Sequence, residues 1–410
     1  MNAKSTLVIV GGGLAAAKAA EAARGCGFEG RVLIIGDEST PPYERPPLSK
    51  AVLRGEKPAS STQVHDGAFY VDNGIELITG VAVLEADLDT RRVRLADGQA
   101  IGFDALILAT GAQSRRLEIP GVNLEGVHYL RTIDEAAKLQ DAIKGASRVA
   151  VIGAGWIGSE VTASARQMGA EVVLVDPELF PLQRVLGTRV GSFFRQLQSD
   201  HGVDLRLGVG VTEIRGDRSV AQVLLADGRI ERADVVVIGV GAVPRVELAV
   251  AAGLKVENGI VVNANLETSA AGVYAAGDVA SAWHPHYKNH LRVEHWANAR
   301  YQGGAAGENA VGPHEKYDRL PYFYSDQYDV SLEYVGHAER EDEVVIRGDL
   351  EKREFIAFYH REGVLTAALT VNVTKVFKDI KLMIAAGTKL DLHSLADVSV
   401  PLSELSQVQG

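Results

Sequence analysis

The chain has 410 residues, 46% of them apolar and 23% charged, which suits a globular protein of two or three domains. Its net charge of −11 argues against general nucleic-acid binding, and no run reaches the ~20 continuous apolar residues of a membrane span. A single cysteine excludes an internal disulfide, and Met1-Asn2-Ala3-Lys4 leads straight into an apolar run, so the expectation is a cytoplasmic protein with no signal peptide.

The first element is the apolar run Leu7-Val8-Ile9-Val10, followed by Gly11-Gly12-Gly13-Leu14-Ala15-Ala16. A buried parallel strand, a glycine turn and a helix start in that order form the dinucleotide fingerprint G-x-G-x-x-G/A. Gly11 permits the tight turn, Gly13 lets the backbone approach a pyrophosphate, and the small third position lets helix and strand pack closely. The helix N-terminus then offers free N–H groups to the phosphates. Cys26 falls at the far end of this first helix. The second strand, from Arg31, ends at Asp37, which is placed to accept hydrogen bonds from the adenosine ribose. Ala105 to Gly111 reads as a further strand ending in a tight turn.

The pattern then repeats. Val149-Ala150-Val151-Ile152 leads into Gly153-Ala154-Gly155-Trp156-Ile157-Gly158, and the next strand, from Glu171, ends at Asp176. A carboxylate there repels a 2′-phosphate, and no Arg or Lys follows until Arg184, so this site favours NAD over NADP. Ala233 to Gly241 nearly copies the segment from Ala105. Two fingerprints imply two dinucleotides on one chain, with electrons passing between them. Val273 to Gly277-Asp278 reads as a strand whose Gly-Asp end suits a ribityl chain. The histidine-rich run Trp283 to His290 reads as an exposed loop, and no metal site is expected. Glu354 to Tyr359 reads as an antiparallel strand and Lys375 to Ala386 as an amphipathic helix.

Gly11-x-Gly13, Pro46-Pro47-Leu48-Ser49-Lys50, Ala109-Thr110-Gly111, Gly153-x-Gly155-x-x-Gly158, Gly277-Asp278 and Ser325-Asp326-Gln327 occur in this order. Together they resemble the FAD-dependent NADH:ferredoxin reductases of bacterial oxygenase systems, over essentially the whole chain. The resemblance implies an α/β, glutathione-reductase-like fold with two Rossmann-like dinucleotide-binding domains and a C-terminal α+β domain. It implies a discontinuous FAD domain over 1–113 and 247–319, an NAD domain over 114–246 and a C-terminal domain over 320–410. At the FAD, it places Ala15 by the pyrophosphate and Asp37 by the ribose. Lys50 comes near the flavin ring, Val83 at the adenine, Arg131 at the phosphates, Asp278 at the ribityl chain and Trp296 beside the ring. The NAD positions are Gly153, Gly155, Ile157, Asp176 and Gly241, with Glu160 near the nicotinamide. Tyr324 stands where the family often has tryptophan, and is expected to stack over flavin or nicotinamide. Arg245 replaces a common asparagine.

The implied reaction is hydride transfer from NADH to FAD, with Lys50 and Glu160 paired beside the flavin, then release of single electrons. The protein positions and tunes the cofactors, which carry the chemistry. Pro41 to Pro46 holds no cysteine, so no thiol relay is expected, and electrons leave for an outside acceptor. A [2Fe–2S] ferredoxin fits, bound transiently and electrostatically, with Arg292, Arg300 and Arg319 as a local basic patch. Rubredoxin reductase and NADH oxidase are the alternative enzyme readings. An interaction protein like apoptosis-inducing factor wants a targeting leader and a basic nucleic-acid surface, and since the sequence shows neither, that reading is disfavoured. Monomer and homodimer both fit.

Overall fold

The computed structural model describes residues 4–405, and these divide into two compact units. Of the described residues, the first contains 4–45, 59–113 and 242–319; the second contains 46–58, 114–241 and 320–405.

In the first unit, five strands form one parallel sheet in the order Val273–Ala275, Ala105–Leu108, Thr6–Val10, Arg31–Ile35, Ile75–Ile78. Its central strands are apolar without alternation, because both faces are covered; Leu7, Val8 and Ile9 have no exposed surface. The helix Leu14–Gly25 follows the first strand, and the helix Trp296–Val311 packs directly on it. That contact is close because a side chain at Gly303 or Gly307 would strike the backbone of Ala15 or Ala19. A three-stranded antiparallel sheet, Val83–Asp87, Arg92–Leu95 and Ala100–Gly102, completes this part.

The second unit repeats the plan. Its parallel sheet runs Asp204–Leu207, Glu171–Asp176, Arg148–Ile152, Val235–Ile238, Val127–His128, and its small antiparallel sheet is Val211–Gly216, Val220–Leu225, Ile230–Arg232. The helix Trp156–Gln167 follows the fingerprint, and the helix Gln183–Asp200 follows Asp176 with a kink at Gly187. The same unit holds a five-stranded antiparallel sheet in the order Tyr322–Gln327, Val330–Gly336, Val364–Val371, Glu354–Arg361, Glu343–Asp349. One face packs on the helix Gln183–Asp200 through Phe323, Tyr334, Phe355 and Tyr359 against Leu186, Phe193 and Phe194. The other packs on Phe377–Ala386 and two shorter helices through Ile356, Phe358, Ile380 and Met383.

One sequence expectation is corrected here. The run from Trp283 to His290 is a β-hairpin, Ala280–His284 against Asn289–Leu291, rather than an exposed loop. His284 is buried, with its Nε2 3.0 Å from the Arg319 carbonyl oxygen. Trp283 and His290 keep their rings exposed on the hairpin. Among the described residues, no helix is long and apolar enough to cross a membrane, and no cluster of three or more His, Cys, Asp or Glu is placed to hold a metal.

Candidate functional site

The first fingerprint has the shape a dinucleotide needs. Gly11 sits at φ +128°, and a Cβ there would lie 2.1 Å from the Ala109 carbonyl oxygen, so only glycine fits the turn. Gly13 differs: it caps the helix Leu14–Gly25 in an extended conformation, and a Cβ on it would meet nothing within 4 Å. The space before the helix is open, the first turn carries no acidic side chain, and its N–H groups face outward, a fit for a pyrophosphate. Ala15, in that turn, faces Gly277, whose Cβ would come 3.1 Å from that of Ala15. Gly277 N–H donates to the buried Gln302 Oε1 at 3.0 Å, which fixes the turn Gly277–Val279 and with it the half-buried Asp278.

Asp37 lies just past the strand Arg31–Ile35, with its Oδ2 2.8 Å from Arg245 Nη2. Burial raises the Asp37 carboxyl, but the hydrogen bond and charge of Arg245 outweigh it and hold the group below the usual carboxylate value. The pair therefore adds stability at neutral pH that is lost as the pH falls through the lowered pKa; Asp37 is 38% exposed, so the contribution is about 1 kcal/mol or less. Val83 opens the strand Val83–Asp87, and Trp296 opens the helix Trp296–Val311 with the Arg300 guanidinium 5.2 Å above its ring. Arg319 lies 4.3 Å over the exposed Tyr301 ring, while Arg292 is ion-paired with Glu294.

The second fingerprint repeats the geometry in the second unit. Gly153 sits at φ +102°, Gly155 caps the helix with open space around its Cβ position, and a Cβ on Gly158 would strike the Gly153 carbonyl oxygen at 1.8 Å. Asp176 is docked on this loop: its Oδ2 accepts the Ala154 N–H at 2.6 Å and its Oδ1 the Glu178 N–H at 2.7 Å. Ile157 is 42% exposed in the first helical turn. Gly241 closes the matching strand end at φ +107°, and Arg131 directly precedes Thr132, which caps the helix Ile133–Gly145.

Glu160 lies in the second turn of the helix Trp156–Gln167, and it is buried. Its Oε1 is 2.8 Å from Lys50 Nζ and accepts the Ser325 hydroxyl at 2.6 Å, while its Oε2 accepts the Ser49 hydroxyl at 2.5 Å. A carboxylate taken from water must be paired and hydrogen-bonded, and here one cation and two hydroxyls do so. Lys50 follows the short turn Pro46–Ser49 and also donates to the Pro46 carbonyl at 3.3 Å. Tyr324 is half-buried, on the opposite face of its strand from Ser325. The sequence reading named Lys50 and Glu160 and passed over Ser49 and Ser325. Both serines stand inside motifs already singled out, and the alternation Phe323, Ser325, Gln327 marks a buried hydroxyl on an apolar face.

The chain was compared with known proteins. Residues 5–303 match the family described as pyridine nucleotide-disulphide oxidoreductase, and residues 322–406 match the reductase C-terminal family. Rhodocoxin reductase of Rhodococcus erythropolis is 37% identical over 398 residues, covering 97% of this chain and 93% of that protein. The ferredoxin–NAD(+) reductase component of the anthranilate 1,2-dioxygenase system of Burkholderia cepacia is 37% identical over 396 residues, covering 96% of this chain and 98% of that one. Among solved structures, the reductase in the covalent putidaredoxin reductase–putidaredoxin complex superposes with a TM-score of 0.96 at 35% identity, with complete coverage of both chains. The chain belongs to the pyridine nucleotide-disulphide oxidoreductase family and carries its reductase C-terminal domain.

Proposed function

We propose that this protein takes hydride from NADH onto bound FAD and passes single electrons to a [2Fe–2S] ferredoxin that supplies an oxygenase or cytochrome P450. The observation that carries this reading is a pair of dinucleotide cradles on one chain, each an open helix N-terminus behind a glycine turn with a carboxylate at the end of the next strand. FAD, when bound, accepts two electrons at once and releases them singly. The first cradle takes the FAD. Gly11, Gly13 and Ala15 admit its pyrophosphate, Asp37 its adenosine ribose and Asp278 its ribityl chain, with Val83, Arg131 and Trp296 as further contacts. The second takes NADH through Gly153, Gly155, Ile157, Gly158, Asp176 and Gly241. Lys50 supplies a cation to the flavin ring, Glu160 a carboxylate toward the nicotinamide, and Tyr324 an aromatic face. The corresponding domains are 1–113 with 247–319 for FAD, 114–246 for NAD, and 320–410 for the C-terminal module.

Cys26 is the sole cysteine of the chain and lies exposed at the end of the first helix, so the scaffold works without a thiol relay. The B. cepacia relative is named a ferredoxin–NAD(+) reductase component, and the solved complex pairs putidaredoxin reductase, a protein of this fold, with putidaredoxin. Both favour a ferredoxin as the acceptor, and we expect its complex with this chain to be transient. Arg300 and Arg319, laid over aromatic rings, offer positive charge to an acidic acceptor, and the reductase works as monomer or homodimer.

The function is tested by NADH-driven cytochrome c reduction with a panel of [2Fe–2S] ferredoxins. Strong stimulation by one of them is expected. Fast oxygen uptake without any protein partner would instead make the protein an NADH oxidase, and selective stimulation by rubredoxin would change the acceptor.

Nucleotide preference rests on Asp176. Asp176→Ser removes the charge that repels a 2′-phosphate, and the ratio of kcat/KM for NADH over NADPH is expected to fall by about tenfold or more. An unchanged ratio would locate the preference elsewhere.

A further inference from the structure

We propose that Ser325 and Ser49 are positioning residues that hold the Glu160 carboxylate in its working orientation, so that the C-terminal domain takes a direct part in flavin reduction by NADH. This inference rests on the proposed role of the Lys50–Glu160 pair.

The argument starts from the strand Tyr322–Gln327. Its alternate residues Phe323, Ser325 and Gln327 are buried on one face. Each meets a different group from the nucleotide-binding part of the same unit. The Phe323 ring lies 4.6 Å from the Trp156 ring at 67°, and Gln198 Nε2 donates to Gln327 Oε1 at 3.1 Å. Between them, Ser325 Oγ donates to Glu160 Oε1 at 2.6 Å. Trp156 and Glu160 are one helical turn apart and share a helix face, so the strand's two-residue period is matched to that face. Ser325 is thus fixed from both sides by contacts that make no use of its hydroxyl.

The other carboxylate oxygen is held by a second route. Ser49 Oγ donates to Glu160 Oε2 at 2.5 Å. The Ser49 carbonyl accepts from Ser164 Oγ at 2.6 Å, and Ser164 is one turn along the same helix from Glu160. Ser49 is therefore clamped to the helix that carries its target. With Lys50 and Ser325 on Oε1 and Ser49 on Oε2, the carboxylate plane is fixed by three donors from two separate segments, 49–50 and the strand Tyr322–Gln327. Lys50 alone would leave it free to rotate about the ion pair. Reacting groups held within a fraction of an ångström gain most of their advantage from such support.

The test uses the FAD-loaded full chain in anaerobic stopped-flow mixing with NADH. It compares wild type with Ser325→Ala, Ser325→Thr, Ser49→Ala and Glu160→Gln. It reads the limiting rate of flavin reduction, the NADH dissociation constant, the long-wavelength charge-transfer absorbance and the melting midpoint. Each serine-to-alanine variant is expected to lower the limiting rate by about tenfold and to weaken the charge-transfer band. The NADH dissociation constant should stay at the wild-type value, the melting midpoint should fall by only a few degrees, and Ser325→Thr should restore rate, band and midpoint. Wild-type rate and band in both alanine variants, with Glu160→Gln slow, would overturn the role of the serines and leave that of the ion pair. A wild-type rate in Glu160→Gln would overturn both. Loss of melting midpoint or FAD content in Ser325→Ala without rescue by threonine would make Ser325 a purely structural residue, as would retention of the band in every serine variant.

Discussion

Replacing Lys50 by alanine is expected to slow reduction of the bound flavin by NADH by about two orders of magnitude, the usual loss when one preorganised charged donor leaves a water-excluded site. The lysine is placed for such an effect. Its Nζ is 2.8 Å from Glu160, and the two side chains are 12% and 6% exposed. Removing the cation also leaves the buried carboxylate without its counter-ion, which is expected to cost about 3 kcal/mol of stability. Lys50→Arg separates the two consequences. It keeps the charge and should recover most of the stability, while its planar fork cannot reproduce the ammonium geometry and leaves the reduction slow. Stopped-flow reduction rates and urea unfolding of both variants check the pair of expectations. A wild-type rate in Lys50→Ala would remove the lysine from the chemistry.

The second large effect concerns the FAD cradle, where two glycines two residues apart should fail for different reasons. Gly11→Ala sets a Cβ 2.1 Å from the Ala109 carbonyl oxygen at a backbone angle that L residues rarely adopt. Strain and clash together are expected to cost about 3 kcal/mol or more, so the variant should be poorly folded as well as colourless. Gly13→Ala meets nothing within 4 Å, at φ −98° and ψ −172°, a conformation open to any residue. The apoprotein should melt at the wild-type temperature, while FAD affinity falls by about tenfold or more because the methyl group stands where the pyrophosphate approaches. Apoprotein melting curves and FAD titrations distinguish the two. Equal FAD affinity in Gly13→Ala and wild type would mean that the pyrophosphate does not lie over this turn.

The parts of the fold legible in the sequence are those determined by neighbours in the chain. An apolar run, a glycine turn and a helix start lie within about a dozen residues of each other, and both parallel sheets and their near-copied plan follow from two such signals. The C-terminal strand at Glu354 and the helix ending at Ala386 are legible for the same reason, since their periods of two and 3.6 are local. What was hidden depends on partners far away in the chain. Ser49 and Ser325 each read only as part of a motif; nothing near either names Glu160 as the acceptor. Arg245 was visible only as a substitution, and its partner Asp37, just past the strand Arg31–Ile35, is 208 residues away in the chain. The histidine-rich run looked like a loop because Pro285 and the polar residues around it suggest a break. The break is real, but it is the tip of a hairpin in which Ala282, His284 and Leu291 are buried while Trp283 stays exposed. Residues 46–58 belong with the second unit although the chain on either side belongs with the first, an exchange that composition does not register.

The missing thiols and the buried ion pair point the same way. A scaffold with two nucleotide cradles and one exposed cysteine must pass electrons from the flavin itself to something outside the chain. The most direct measurement mixes NADH anaerobically with the FAD-loaded protein and an excess of oxidised [2Fe–2S] ferredoxin, and counts the ferredoxins reduced for each NADH consumed. Two per NADH, reached only when the protein is present, is the predicted result. NADH consumption that leaves the ferredoxin oxidised, with rapid oxygen uptake once air is admitted, would contradict the account.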